Sequence, residues 1–250
     1  MDPVDLYAGP MRLRADCERC FGLCCVAPAF SASADFAIDK DAGQPCPNLQ
    51  PDFRCAIHHR LRRQGFPGCA VYDCFGAGQK VAQATFGGQD WRRTPQIAAQ
   101  MFEVFTIMRQ LHELLWYLTE ALTLRPARPL HGELRLALDE TERLTHGSPD
   151  DLVELDVTAH RRDVNAVLLR ASELVRAEAR RNGIDRGGAD LIGNDLSGAD
   201  LSGADLRGSI FLTQSQLDAA KGDLDTRLPP SLTRPAHWGR SRRHPLSGSS

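Results

Sequence analysis

All eight cysteines of this chain fall between Cys17 and Cys74. They are Cys17, Cys20, Cys24, Cys25, Cys46, Cys55, Cys69 and Cys74, in the order C-x2-C-x3-C-C, a long gap, then C-x8-C-x13-C-x4-C. So many thiols in so short a stretch point to a bound soft ion, to disulfides or to a thiol redox switch. Close pairs separated by longer loops let neighbouring ligands reach one metal. The stretch therefore reads as a metal- or cluster-binding module, with the rest of the chain as its support.

The compartment decides between disulfide and metal. The opening MDPVDLYAGP is acidic and lacks the basic and apolar regions of a signal peptide. No segment approaches the roughly 20 apolar residues of a membrane helix. A cytoplasmic location without membrane association is expected, and reducing conditions there favour metal over disulfides. The net charge of −2 gives nucleic acid no footing as a partner. A protein partner is expected instead. Near the C-terminus, Arg227, Arg234, Arg240, Arg242 and Arg243 lie among Pro, Ser and Gly, which reads as a solvated flexible tail.

In chain order, residues 1–90 form the cysteine-rich module. They are rich in Gly and Pro and lack sustained apolar periodicity, so a structural metal is a suitable staple. Residues 91–183 read as a helical bundle. Thr94 and Pro95 suit the start of its first helix. Ile97, Met101, Val104, Phe105, Met108, Leu111, Leu115, Leu118 and Leu122 then recur at three- and four-residue steps. A second helix is expected over about 133–145. Ser148-Pro149-Asp150-Asp151 opens a third, with room for a break near Val157-Thr158. Met101, Phe102, Phe105, Met108, Trp116 and Tyr117 read as core rather than as a ligand pocket. His112 and His131 read as surface or capping residues.

From Ala189 the period becomes five: Ala-Asp-Leu-Ile-Gly, Asn-Asp-Leu-Ser-Gly, Ala-Asp-Leu-Ser-Gly, Ala-Asp-Leu-Arg-Gly and Ser-Ile-Phe-Leu-Thr. Leu191, Leu196, Leu201, Leu206 and Phe211 hold the large apolar position. Asp190, Asp195, Asp200 and Asp205 are placed to face solvent. This stretch closely resembles the pentapeptide-repeat family over about residues 184–213. The resemblance implies a right-handed quadrilateral β-helix of hardly more than one turn, within a unit spanning 184–223 that ends in a capping helix over Thr213–Ala220. A tail over 224–250 follows. Some members of that family mimic DNA and act on topoisomerase, but here the acidic face is very short.

The cysteine segment resembles a family described as putative zinc- or iron-chelating proteins, which includes the flagellin lysine N-methylases. Cys17, Cys20, Cys24 and Cys25 match its opening. Cys46-Pro47-Asn48-Leu49 matches the second element, and Cys55-Ala56-Ile57 begins the third. Cys69-Ala70-Val71-Tyr72-Asp73-Cys74 keeps the spacing of the last. His58 replaces the usual Tyr, and Asp73 replaces a Pro.

Eight thiols could close two four-cysteine zinc sites or hold iron–sulfur clusters, and softness alone does not choose between zinc and cluster. His58, three residues after Cys55, is a further ligand candidate. Adjacent Cys24 and Cys25 have diverging side chains and are expected to serve different centres, or only one of them ligates. Apart from Asp73 beside Cys74, no acid or base is placed for an open-site metal, and no other catalytic constellation is evident. The expected class is α+β, mainly α: an irregular metal module, a helical bundle and a short β-helix coil. The expected function is a non-catalytic metal-binding repeat protein with a partner surface. A cluster- or metal-dependent enzyme of redox or group transfer is the alternative, and a DNA-mimic topoisomerase modulator ranks behind both.

Overall fold

The computed structural model describes residues 13–181, 191–192, 196 and 198–239. The chain divides into two compact units, Met1–Val175 and Arg176–Ser250. In the first, short helices α1 (Leu23–Val26), α2 (Pro67–Val71) and α3 (Ala77–Gln79) interrupt the cysteine segment. Helix α3 continues into a π-helical turn, Lys80–Thr85. The long helices are α4 (Ala98–Thr123), α5 (His131–Leu144) and α7 (Val157–Arg181), with α6 (Pro149–Glu154) between the last two.

Helix α4 is the axis of this unit. Its apolar stripe buries Met101, Val104, Phe105, Met108, Leu111 and Leu118 at no more than 1% exposure. A stripe so wide needs partners on more than one side. Helices α5 and α6 cover part of it. Leu23, Val26, Ala77 and Val81 of the cysteine segment join Phe105 and Leu152 in one hydrophobic core. The cysteine segment thus shares its core with the helices that follow it. A smaller cluster of Ile57, Leu61 and Phe66 lies within that segment, with Phe30, Phe36, Cys55 and Cys69 against it.

Local signals account for the helix ends. Ser148 accepts from Asp151 N–H while the Asp151 carboxylate accepts from Ser148 N–H, a reciprocal cap. The expected break falls at Leu155–Asp156, between α6 and α7. Thr94 makes no side-chain cap, because a 3-10 turn over Pro95–Ile97 leads into α4. Two cross-links, Glu133 to Arg170 and Thr141 to His160, run in opposite senses along α5 and α7 and make them antiparallel. The expected C-cap at Asn182-Gly183 lies outside the described residues.

The expected α+β class is corrected for the second unit. The described residues are mainly helical and contain no strand or sheet, so the quadrilateral β-helix coil does not form as expected. The reason lies in the five-residue step itself. Leu196, Leu201 and Leu206 each accept a backbone bond from the residue three positions on. Gly198 and Gly203 supply the positive φ, 72° and 70°, that such turns demand. Turns use up most of each repeat, leaving single bridging residues: Asp200 pairs with Lys221 and Asp205 with Arg227, as isolated parallel bridges. Asp200 and Asp205 are exposed as expected, whereas Leu201 and Leu206 are only half-buried. Asp190 and Asp195 lie outside the described residues.

Helix α8 (Gln214–Ala219) follows the repeats, capped reciprocally by Thr213 and Gln216. The chain beyond it is packed through Gly239. Leu232 and Trp238 are buried, and Arg234 donates to the carbonyls of Asp223 and Thr226. Arg240, Arg242 and Arg243 lie outside the described residues.

Phe105→Ala should cost about 3–5 kcal/mol. Hydrogen exchange should quicken both at Leu23–Val26 and around Leu152. Loosening confined to one of these places would contradict the shared core.

Candidate metal centre

The loop bearing Cys17 and Cys20 is clasped by two glutamines from the end of α3 and the π turn. Gln79 accepts from Asp16 N–H at 3.1 Å and donates to Arg14 O at 2.7 Å, and Gln83 donates to Arg19 O at 2.8 Å. Trp91 donates to Phe21 O at 2.8 Å. Gly22, at φ 67°, turns the chain into α1 so that Gly22 and Leu23 N–H bond to the Cys20 sulfur. Gly78 lies against the same sulfur: a Cβ there would stand 2.6 Å from Cys20 Sγ.

Cys25 and Cys46 are joined through their backbones, Cys46 N–H donating to Cys25 O at 2.9 Å. A bridge between Leu49 and Cys55 brings the next cysteine alongside. The Ile57 N–H bonds to the Cys55 sulfur.

Cys74 enters a left-handed turn at Phe75 and Gly76, with φ of 49° and 78°. That conformation costs a non-glycine residue about 1 kcal/mol or more, and α4 supplies the bonds that hold it. His112 Nδ1 donates to Phe75 O at 2.7 Å, and Arg109 Nε donates to Asp73 O at 2.9 Å. The Asp73 carboxylate accepts from Phe75 N–H at 2.7 Å. The turn aims Gly76 and Gly78 N–H at the Cys74 sulfur.

All eight cysteines are free thiols. Their mutual electrostatic contacts sort them into two neighbourhoods. Cys20 interacts with Cys74 and Cys17, and Cys74 with Cys17. Cys25 interacts with Cys55 and Cys46, and Cys69 with Cys46 and Cys55. Cys24 stands between them, its sulfur 3.9 Å from that of Cys25, while Tyr72 feels both Cys24 and Cys74. Cys17 also interacts with Cys55, so the neighbourhoods adjoin. Among the described residues, no three His, Cys, Asp or Glu side chains converge so as to hold a metal ion.

Without a metal these thiols keep their protons. Burial pushes Cys20 and Cys69 up to about 11, and raises Cys17 and Cys74 as well. Cys25 is raised first by its hydrogen bond with Cys24, and Cys55 first by its hydrogen bond with Cys25. At Cys20, Cys55 and Cys74 the backbone N–H groups pull the other way, towards the thiolate.

His58 sits on an exposed 3-10 turn, His58–Arg60, and no interaction ties it to the thiols. His112, expected at the surface, is 5% exposed, and burial lowers its pKa to about 4. Arg109, His112 and the two glutamines escape a reading by spacing because each acts on chain more than 35 positions away. Gly78 carries a weak signal, since Gly76-Ala77-Gly78 marks a turn directly after Cys74.

Two predictions follow from this geometry. Gly78→Ala adds a methyl where backbone conformation permits one, so its effect is on the Cys20 sulfur. Faster alkylation of Cys20 relative to Cys69 is expected by mass spectrometry, and unchanged relative rates would contradict the contact. The second concerns pH. The folded metal-free chain retains thiol protons that the unfolded chain releases above pH 9, so stability should fall from pH 9 to about 11. On the acid side the unfolded chain protonates His112 first, so stability should also fall from pH 6.5 to about 4. Denaturant midpoints that stay flat across both windows would contradict these assignments.

Comparison with known proteins adds a family. The pentapeptide-repeat family model (eight copies) matches residues 187–211. The uncharacterized protein YybG of Bacillus subtilis (strain 168) is 51% identical over 264 aligned positions, covering 90% of this chain and 95% of YybG. No solved structure matches the chain. No helix among the described residues is long and apolar enough to cross a membrane. With that identity along nearly its whole length, the chain belongs to the family of YybG, and its residues 187–211 match the pentapeptide repeats.

Proposed function

We propose that this repeat protein binds metal through its N-terminal cysteines, which hold zinc or an iron–sulfur cluster, and that its role is non-catalytic: presenting a surface to a protein partner. The observation that carries this reading is the set of eight free thiols gathered within residues 17–74, where backbone N–H groups draw Cys20, Cys55 and Cys74 towards the thiolate. A neutral thiol is a weak acceptor that gains little from such donors. A metal-bound thiolate gains a great deal, and hydrogen bonds to sulfur are a means by which proteins tune such centres. The donor set is all soft sulfur, which fits zinc or iron–sulfur better than hard cations. Metal would draw neighbouring sulfurs together. A closed four-thiolate zinc supplies folding energy, whereas a cluster also supplies an electron carrier.

The non-catalytic reading is supported by Asp73. It lies beside Cys74, and its carboxylate is bound within its own turn by Phe75 N–H. The resemblance to zinc- or iron-chelating proteins lends the same chemistry without methyl transfer.

Anaerobic purification with metal and sulfide analysis tests this reading. Colourless protein with about two zinc per chain is the outcome for closed four-thiolate sites. Brown protein with acid-labile sulfide is the outcome for clusters. Metal-free protein from metal-replete cells, with every thiol free to alkylate, would contradict the proposal.

A further inference from the structure

Ile57, Leu61 and Phe66 are buried as the small core of the cysteine segment. With those three held inward, the residues between them turn outward: His58, His59, Arg60, Arg62 and Arg63 are all exposed. Two successive 3-10 turns, His58–Arg60 and Arg62–Gln64, fix this rim. Arg60 N–H donates to Ile57 O at 2.8 Å, and Gln64 and Phe66 N–H donate to Leu61 O at 3.1 and 2.9 Å. Side chains three positions apart share one side of a 3-10 turn, so Arg60 and Arg63 project together.

The charge on this rim is one-sided. No Asp or Glu occurs between Phe53 and Tyr72. The adjoining loop carries Asp35 and Asp39, and Gly68 N–H donates to Asp35 O at 3.1 Å. The Asp39 carboxylate is taken by Ala32 N–H at 2.9 Å. Among the described residues, neither Arg60 nor Arg63 forms an ion pair or a side-chain hydrogen bond. Arg143, Arg161, Arg170 and Arg207, by contrast, each hold a carboxylate. Three guanidinium groups within four positions repel one another, and an anion seated among them relieves that repulsion.

We propose that the rim His58–Arg63 is a docking surface for an extended acidic segment of a partner protein, whose carboxylates Arg60 and Arg63 receive. Guanidinium forks pair with carboxylates through two parallel hydrogen bonds. Arg60 and Arg63 stand about 6 Å apart along the turns, at about 2.0 Å per residue. Carboxylates at alternate positions of an extended segment stand about 7 Å apart on one side, which matches. Nucleic acid fits less well, because single strands are held by stacking on exposed rings. Here Phe66 is buried, and Phe30 and Phe36 stack on each other with 4.4 Å between ring centres. The inference rests on the partner-surface part of the reading above, giving it a place and a chemistry, and needs no metal.

The test follows a fluorescent peptide of alternating Glu and Ser binding to the full-length chain by anisotropy, with metal content measured on the same samples. Replacing both arginines, Arg60→Gln with Arg63→Gln, should weaken binding about 5- to 10-fold, and added salt should weaken binding to wild type. Arg125→Gln with Arg128→Gln, on an exposed turn elsewhere, should bind as wild type does. Equal binding by wild type and the Arg60, Arg63 variant overturns the proposal. So does wild type that ignores the peptide, or that binds single-stranded oligothymidine more tightly than the peptide. Should the variant not fold by circular dichroism, backbone amide spectra of wild type decide. Signals of residues 58–64 displaced by the peptide are expected, and signals unmoved there overturn the assignment. Metal-free protein that binds the peptide at this rim supports the inference while the metal reading fails. Metal-loaded protein that ignores it overturns the inference alone.

Discussion

The hydrogen bond from His112 to the Phe75 carbonyl joins the chemistry of the first unit to its scaffold. Phe75 is held in a left-handed conformation that its side chain disfavours. Both ends of its turn are tied down, by His112 and Arg109 from α4 and by Asp73 from the turn itself. These bonds set where Cys74 lies and which N–H groups face its sulfur. Because α4 also buries Leu23 and Val26, the same helix positions the loop of Cys20, Cys24 and Cys25. A chain poor in regular structure over residues 13–90 thereby acquires defined geometry around its thiols.

A second constraint is the cost of sulfur burial. Thiols raised by burial, Cys20 and Cys69 to about 11, are neutral and can be enclosed cheaply, but backbone N–H groups draw Cys20, Cys55 and Cys74 towards charge instead. The two tendencies are reconciled if the sulfurs give up their protons to a metal, since the ion's charge offsets theirs.

Elements specified by near neighbours were legible from sequence. The apolar stripe of α4, the Ser148 cap, the short helix after Thr213 and the break before α7 depend on residues within a few positions of one another. The five-residue repeat was legible as a repeat, and a family model matches it. Its β-helical form was a misreading, because turns at Gly198 and Gly203 leave too little extended chain for a strand. The clustering of the eight thiols could be read from spacing. Their supports could not: Gln79, Gln83, Arg109 and His112 sit on a surface helix pattern with no local mark of the distant carbonyls they bind.

The central claim is that these sulfurs are metal ligands. X-ray absorption at the metal edge of protein purified without added chelator tests it most directly. A first shell of sulfur at about 2.3 Å is predicted. A shell of oxygen and nitrogen alone, with no sulfur scatterer, would contradict it.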